Sequence, residues 1–405
     1  MSKEILVCNS GSSSLKLDVF QSGEYLSYLA SASVDRIGQM QGAESELEVK
    51  IKDRETHTER SRFEDHRSAL LRISELLEKE GVFSQGNRFA VGHRVVHGGP
   101  DITDPVIIDD SIESIIDRCS IYAPLHNPAN LNGIRVAREL FDCPQVGVFD
   151  TAFHAKMPAP ARTYAIPRDI AQRHGIQRYG FHGTSHGYVA EVAARNLNRA
   201  LSDVNLITLH LGNGASVCAI KDGISIDTSM GFTPLEGLVM GTRCGDLDPA
   251  IVAYLQEKEK LIFQEVDTLL NRQSGLLGLG GASDMRDLLD KESKGDQNAA
   301  LAIDTFCYRA RKYIGAYFAA IGGQVDAIVF TAGIGENSSA IRRRIMDGLF
   351  EDRIYFDEDA NEQKLESQQG NLLTKEQSPV AVYAIPTDEE WMIARLARDL
   401  LAKEG

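Results

Sequence analysis

The chain contains no apolar stretch approaching the roughly 18 residues that a membrane-spanning helix needs. That excludes an integral helical membrane protein. It is also poor in basic charge, with 43 Lys and Arg against 58 Asp and Glu and a formal net charge of −15. Non-specific binding to nucleic acid is therefore not expected. An anionic substrate would need a local basic pocket working against the global field. Cysteine is sparse and scattered, at Cys8, Cys119, Cys143, Cys218, Cys244 and Cys307. No two form a CxxC pair, so neither a zinc site nor a disulfide framework is suggested, and a reduced cytoplasm fits best. There is no low-complexity segment and no long linker. Met1-Ser2-Lys3-Glu4 leads into a strand pattern rather than a signal peptide. The remaining composition is that of an ordinary globular protein, and 405 residues predict two or three domains with ample core.

Against this plain background three turns stand out. Ile5 to Cys8 reads as a buried strand and runs into Asn9-Ser10-Gly11-Ser12-Ser13-Ser14-Leu15-Lys16, with a second strand from Leu17 to Phe20. Small residues let the backbone approach a ligand, and exposed N–H groups, hydroxyls and a lysine suit phosphate or a hydrated Mg²⁺. The spacing is not that of a Walker loop. On these residues alone a phosphate cradle and a plain polar hairpin both stand. Leu206 to Leu211, Gly212-Asn213-Gly214-Ala215-Ser216 and Val217 to Ile220 repeat the pattern. Duplication and chance both account for that likeness. The third turn is Thr331 to Asn337, after the strand Ala327 to Phe330. It predicts a strand, a glycine turn and a helix over Ala340 to Leu349, an arrangement that suits a nucleotide and is also a common structural connection.

Eight of the ten histidines lie between His93 and His210, mostly in Gly- or Asn-rich stretches that fill a core poorly, which argues for one polar site. His182 and His186 are spaced i,i+4, equally compatible with a helix start and with a metal pair. HExxH is absent, and so is a GxSxG elbow. Arg94 and Arg243 sit among glycines, and the planar guanidinium fork suits a phosphoryl group. Thr387 with Glu390 reads as a capping box opening a C-terminal helix. That leaves Glu389 as the better Mg²⁺ ligand, with Asp150, ending its strand, as the second carboxylate of interest.

Nine segments in order resemble those of the acetate kinases (acetokinases) of the acetate and sugar kinase, Hsp70 and actin superfamily. They are NSGSSSLK at Asn9, GHRVVHGG at Gly92, APLHNP at Ala123, DTAFH at Asp150, YGFHGTSH at Tyr179, HLGNGAS at His210, DTSMGFTPLEGLVMGTRCGDLDP at Asp227, GIGEN at Gly333 and PTDEE at Pro386. The resemblance covers essentially the whole chain. It implies an α/β chain of two duplicated actin-like ATPase (ribonuclease H-like) domains with an active-site cleft between them. The first would comprise residues 1–153 plus 387–405. The second, 154–386, would bind nucleotide and form a homodimer.

The resemblance further implies Mg²⁺- or Mn²⁺-dependent, direct in-line transfer between ATP and acetate, giving ADP and acetyl phosphate in the cytoplasm. Arg94, His182 and Arg243 would stabilise the phosphoryl in flight, with Asp150 orienting Arg94 or the carboxylate. Asn9 and Glu389 would hold the metal. Ser12, Ser14, Lys16, His210, Leu211, Gly212, Asn213 and Gly214 would serve the phosphates. Asp284, Met285, Arg286, Gly333, Ile334, Gly335 and Asn337 would serve the adenosine side. Val96, Leu125, Phe181 and Pro234 would enclose the acyl methyl, with His126 near the transferred group. Met285 and Ala332 stand where the family often has Phe and Gly. Propionate kinases share nearly every segment. An actin- or Hsp70-like nucleotide switch is a distant alternative, for which no partner-binding appendage is evident.

Overall fold

Strand β1 (Lys3–Ser10) is apolar on both faces, since Ile5 and Val7 alternate with Leu6 and Cys8 and all four are buried. A strand of this kind needs cover on both sides. In the computed structural model, which describes residues 3–38, 44–82 and 88–404, that cover comes from distant parts of the chain. The helices His66–Lys79 and Asn127–Leu140 bring Leu70, Ile73, Leu77 and Ala137 to the face of Leu6 and Leu17. The helix Glu389–Glu404 brings Ile393, Ala394 and Ala397 to the face of Ile5, Val7, Val146 and Val148. Met1, Ser2 and Gly405, at the ends of the expected first domain, lie outside the described residues.

The chain divides into two compact units. The first is Met1–Phe153 with Asp388–Gly405, and the second is His154–Thr387. In the first, β1 joins β2 (Ser14–Ser22), β3 (Ser27–Asp35), β4 (Ser45–Ile51), β5 (His57–Ser61), β6 (Arg88–Val95), β7 (Val106–Ile107) and β8 (Gln145–Phe149). The order across the sheet is β5-β4-β3-β2-β1-β6-β8-β7. β1, β6 and β8 run parallel, and the β1–β5 meander is antiparallel.

The second unit contains β9 (Leu206–Leu211), β10 (Ala215–Lys221), β11 (Ile224–Thr228), β12 (Ala327–Thr331), β13 (Asn371–Leu372) and β14 (Ala381–Ala384), in the order β11-β10-β9-β12-β14-β13. Here β9, β12 and β14 run parallel, with β9, β10 and β11 an antiparallel meander. The arrangement β3-β2-β1-β6-β8 of the first unit thus recurs as β11-β10-β9-β12-β14. The repeated strand-turn-strand pattern lies at equivalent places of one recurring topology, the outcome duplication predicts.

Three local expectations are corrected. The glycine turn after β12 is itself helical over Ala332–Asn337, and the next helix is Ser339–Met346 rather than Ala340 to Leu349. The Glu336 carboxylate accepts the Ala332 N–H at 2.8 Å, so this acidic side chain satisfies a donor at the helix start. The C-terminal helix is capped by Asp388, whose Oδ1 accepts the Trp391 N–H at 2.9 Å. Thr387 instead donates to Ser185 Oγ at 2.9 Å, so no Thr387–Glu390 capping box forms. The strands β5, β7, β13 and β14 were not predicted, although the apolar run around Val382 and Tyr383 in β14 carries a strand signal. β5 is a polar edge strand, and β7 and β13 are two residues each.

Candidate active site

In the first unit, parallel pairing of β6 with β8 sets Arg94 opposite Val148, so Asp150, just past β8, reaches the guanidinium. Arg94 donates from Nε to Asp150 Oδ1 at 3.1 Å and from Nη2 to Oδ2 at 2.8 Å, a two-pronged pair with a fully buried carboxylate. Glu389 Oε2 lies 3.9 Å from Arg94 Nε and is buried without a hydrogen-bond donor. Asp150, reinforced by Glu389 against the opposing effect of burial, holds the Arg94 pKa well above its ordinary value. Burial pushes the Glu389 carboxyl up to about 7, with Arg94 opposing. An orphaned buried carboxylate oxygen is the kind of group a divalent cation satisfies. Mg²⁺ typically takes one or two protein ligands and completes its shell with water and phosphate oxygens. Among the described residues no three His, Cys, Asp or Glu side chains gather as a metal cage. Val96 is buried at the end of this strand system, Leu125 is exposed, and His126 precedes the helix Asn127–Leu140.

Asn9 pairs with Lys16 across β1 and β2, above the turn. The Gly11 N–H closes that turn on the Ser14 carbonyl at 2.9 Å. A Cβ at Gly11 would stand 2.5 Å from Ser14 Oγ, so a side chain there would turn that hydroxyl away from its present position. Lys16, expected at the phosphates, extends to Glu390 Oε1 at 2.6 Å and Asp18 Oδ2 at 3.5 Å. Burial pushes the Asp18 carboxyl up to about 7, and Lys16 only partly offsets it. A carboxyl that binds its proton more tightly in the folded chain stabilises the fold below the unfolded carboxylate pKa of about 4. That contribution is lost as pH rises to about 7. Asp18→Asn should therefore raise Tm at pH 8, with the gain shrinking toward pH 5. Scanning calorimetry across that range checks it, and a pH-independent difference would contradict it.

In the second unit the β9–β10 hairpin gathers the basic groups. The position of a Cβ at Gly214 lies 3.3 Å from His182 Nε2 and 3.6 Å from Arg243 Nη1, so the missing side chain leaves these two groups facing one small space. His182 precedes the helix Gly183–Asn196 in the left-handed region, with φ 57°, a conformation rare outside glycine. It contacts Ser216 Oγ through Nδ1 at 2.8 Å, and its ring stacks on that of His210 at 4.1 Å. His210 in turn meets Ser185 Oγ through Nδ1 at 2.8 Å. Among the described residues Arg243 donates to neutral acceptors, Pro234 O at 3.2 Å and the Met240 sulfur at 3.7 Å. Among the described residues no carboxylate forms an ion pair with it, and burial lowers its pKa. The loop that carries it is tied to the hairpin through Gly241 N–H to Asn213 O at 2.9 Å.

A cavity of about 570 Å³ opens beside this hairpin. Gly212 and Asn213 form one wall, Asp284, Met285 and Arg286 another, and Gly333, Ile334 and Asn337 a third. Ser283, Leu289 and Ser338 also line it, and no motif had singled them out as ligand contacts. A serine or leucine at a helix edge carries no sequence signal of which way it faces. Leu211 and Gly335 are buried behind the lining. Arg286 and Asp284 pair with each other at the rim, and Arg286 holds the Asp284 carboxyl down to about 2. Ser12, Ser14, Lys16, Val96, Leu125 and His126 belong to the first unit, and Phe181 and Pro234 to the second.

In the second unit four of the histidines are ring neighbours, His182 with His210, His186 with His210 and His154 with His186. His93, His97 and His126 lie in the first unit; His154, His174, His182, His186 and His210 lie in the second. Burial pulls His93 down to about 4 and His97 to about 3, and holds His186 well below the ordinary imidazole range, so these three are neutral near pH 7. His186 contacts Thr208 Oγ1 at 2.7 Å and Ser216 Oγ at 2.8 Å, which makes it an internal support for the His182 partner rather than half of a metal pair.

The sequence model of the acetokinase family matches residues 4–395. An acetate kinase of Streptomyces avermitilis is 48% identical over 96% of this chain and 96% of its own length. One of Carboxydothermus hydrogenoformans is 46% identical over 99% of this chain and all of its own. The crystal structure of Porphyromonas gingivalis acetate kinase superposes with a TM-score of 0.90 at 39% identity, covering 98% of this chain and all of that one. A propionate kinase from Francisella tularensis gives 0.89 at 38%, covering 97% and 98%.

Proposed function

Since this chain belongs to the acetokinase family, with its actin-like α/β fold, and is an ATP:acetate phosphotransferase, we propose how its own residues divide that reaction. The acetate carboxylate attacks the γ-phosphorus of ATP, the new O–P bond forms as the bond to the β-phosphate oxygen breaks, and ADP leaves. A carboxylate is already ionised near pH 7, so no general base is required. Catalysis is then mainly positioning and charge neutralisation. Arg94 orients the carboxylate, and Asp150 holds Arg94 by both prongs. Val96, Leu125, Phe181 and Pro234 supply the apolar contacts to the methyl group, with His126 near the transferred group. His182 and Arg243 receive the charge that develops on the phosphoryl.

ATP is held in the 570 Å³ cavity by Asp284, Met285, Arg286, Gly333, Ile334 and Asn337, with Leu211 and Gly335 shaping it from behind. Its phosphates meet His210, Gly212, Asn213 and Gly214 on one hairpin and Ser12 and Ser14 on the other. Mg²⁺ would be held by Asn9 and Glu389 and would neutralise phosphate charge; the orphaned Glu389 Oε2 supports this. The Lys16 ion pairs favour a role in holding Glu390 beside Glu389 over direct phosphate contact. The observation that carries the assignment is Arg243, a partly buried cation with neutral partners, facing His182 across Gly214.

The deciding experiment measures ADP release and acyl hydroxamate formation with acetate, propionate and butyrate. Acetate-dependent hydroxamate is expected; ADP release indifferent to the acid would favour a nucleotide switch. One methylene is worth only about 1–3 kcal/mol, so propionate should remain a substrate at a kcat/KM roughly 10–200-fold lower. A kcat/KM higher on propionate would reassign the chain to propionate. We further propose a homodimer formed through the second unit, supported by exposed Tyr254, Ile262, Phe263, Leu301 and Tyr308 there. A cytoplasmic setting is supported by six unpaired cysteines.

A further inference from the structure

Asn130 lies on the helix Asn127–Leu140 and has no substrate role above, yet both ends of its amide are in use and it is almost fully buried. Nδ2 donates to the Ser10 carbonyl at 2.8 Å, and Oδ1 accepts the Val96 N–H at 3.1 Å. A carbonyl only accepts and an amide N–H only donates, so the orientation of the Asn130 amide is fixed by its partners. Ser10 opens the hairpin that carries Ser12 and Ser14; Val96 follows Arg94 by two residues. One turn further along the helix, Gly133 has no side chain because a Cβ there would fall on Ser10 Oγ. The next carbonyl of the hairpin, that of Gly11, is held by His66 Nε2 at 2.7 Å. The hairpin is therefore pinned at two successive carbonyls by two buried donors. One of those donors also fixes the strand end that carries the acyl contacts.

We propose that Asn130 is a positioning residue that sets the phosphate hairpin and the carboxylate-binding end of β6 from a single buried amide, with His66 as a second, one-sided support of the hairpin. The inference rests on the reading that Ser12 and Ser14 serve the nucleotide phosphates and Arg94 and Val96 the acid. Removing one partner of a buried hydrogen bond leaves the other unsatisfied, and the backbone shifts to relieve it. The two ends of the amide can be cut separately. Asn130→Asp keeps an acceptor for Val96 N–H but loses the donor to Ser10 and sets negative charge against its carbonyl. Asn130→Ala removes both contacts.

Steady-state kinetics of the full chain, with acetate and Mg-ATP varied in turn, reads the difference. Asn130→Asp should raise KM for ATP about tenfold and leave KM for acetate within about twofold. His66→Ala should do the same, and Asn130→Ala should raise both. Calorimetric titration with a non-hydrolysable ATP analogue reads the hairpin without turnover, and Asn130→Asp and His66→Ala should each weaken binding about tenfold. Circular dichroism and Tm establish that each variant is folded. Should Asn130→Ala fail to fold, the Asp and His66 variants still decide the matter. Equal changes in both KM values for folded Asn130→Asp, or unchanged analogue affinity, overturn the proposal. Absence of acetate-dependent turnover in the unmutated protein would instead overturn the reading beneath it, while the analogue titration would still decide whether Asn130 sets the hairpin.

Discussion

Arg243→Ala should lower kcat by roughly three to five orders of magnitude, the range lost when an arginine stabilising a transferring phosphoryl is removed. The magnitude follows from the charge balance around it. Arg94 is neutralised by Asp150 and approached by Glu389. Among the described residues Arg243 donates to Pro234 O and the Met240 sulfur, both neutral. A partly buried guanidinium with neutral partners is poorly stabilised until negative charge develops beside it, so its interaction is stronger in the transition state than in the free enzyme. The same reasoning gives a second readout. Deleting a partly buried charge with neutral partners should leave Tm unchanged or higher, so loss of activity is not loss of fold. Arg243→Lys should recover only part of the rate, because an ammonium lacks the planar fork. Turnover of Arg243→Ala within about tenfold of the unmutated enzyme would sink the assignment.

Glu389→Gln should reduce kcat by roughly two to three orders of magnitude, the scale of removing one preorganised electrostatic contact. The Mg²⁺ concentration for half-maximal rate should rise with it. Glu389 sits at the first turn of the C-terminal helix, and its Oε2 is buried without a donor. Gln at that position keeps the shape and removes the charge, so Arg94 keeps Asp150 alone. Titration of rate against Mg²⁺, together with Mn²⁺ binding followed by spin resonance, separates the metal from the arginine. An unchanged Mg²⁺ requirement with an unchanged rate would exclude Glu389 as a ligand. A lowered rate with unchanged Mn²⁺ affinity would assign its effect to Arg94 instead.

Much of this protein follows from its sequence alone. The strands at Ile5, Leu17, Val146, Leu206 and Ala327 are legible because apolar runs bounded by turn residues report burial directly. The hairpins at Gly11 and Gly212 are legible because turn chemistry is local. The long motifs that mark the family give the chemistry as well. What tertiary structure decided is the partner each side chain takes. Lys16 meets Glu390, 374 residues along the chain, where its place in the motif had suggested phosphate. Thr387 turns to Ser185, leaving Asp388 to cap the last helix. His93, His97 and His186 prove to be neutral internal groups, although their glycine-rich settings resemble that of His182. Arg94 finds Asp150 only because β6 pairs with β8. Periodicity and turn residues state which side of an element a residue faces. They do not state which element faces it, because strand order arises from long-range packing that no local stretch of chain records.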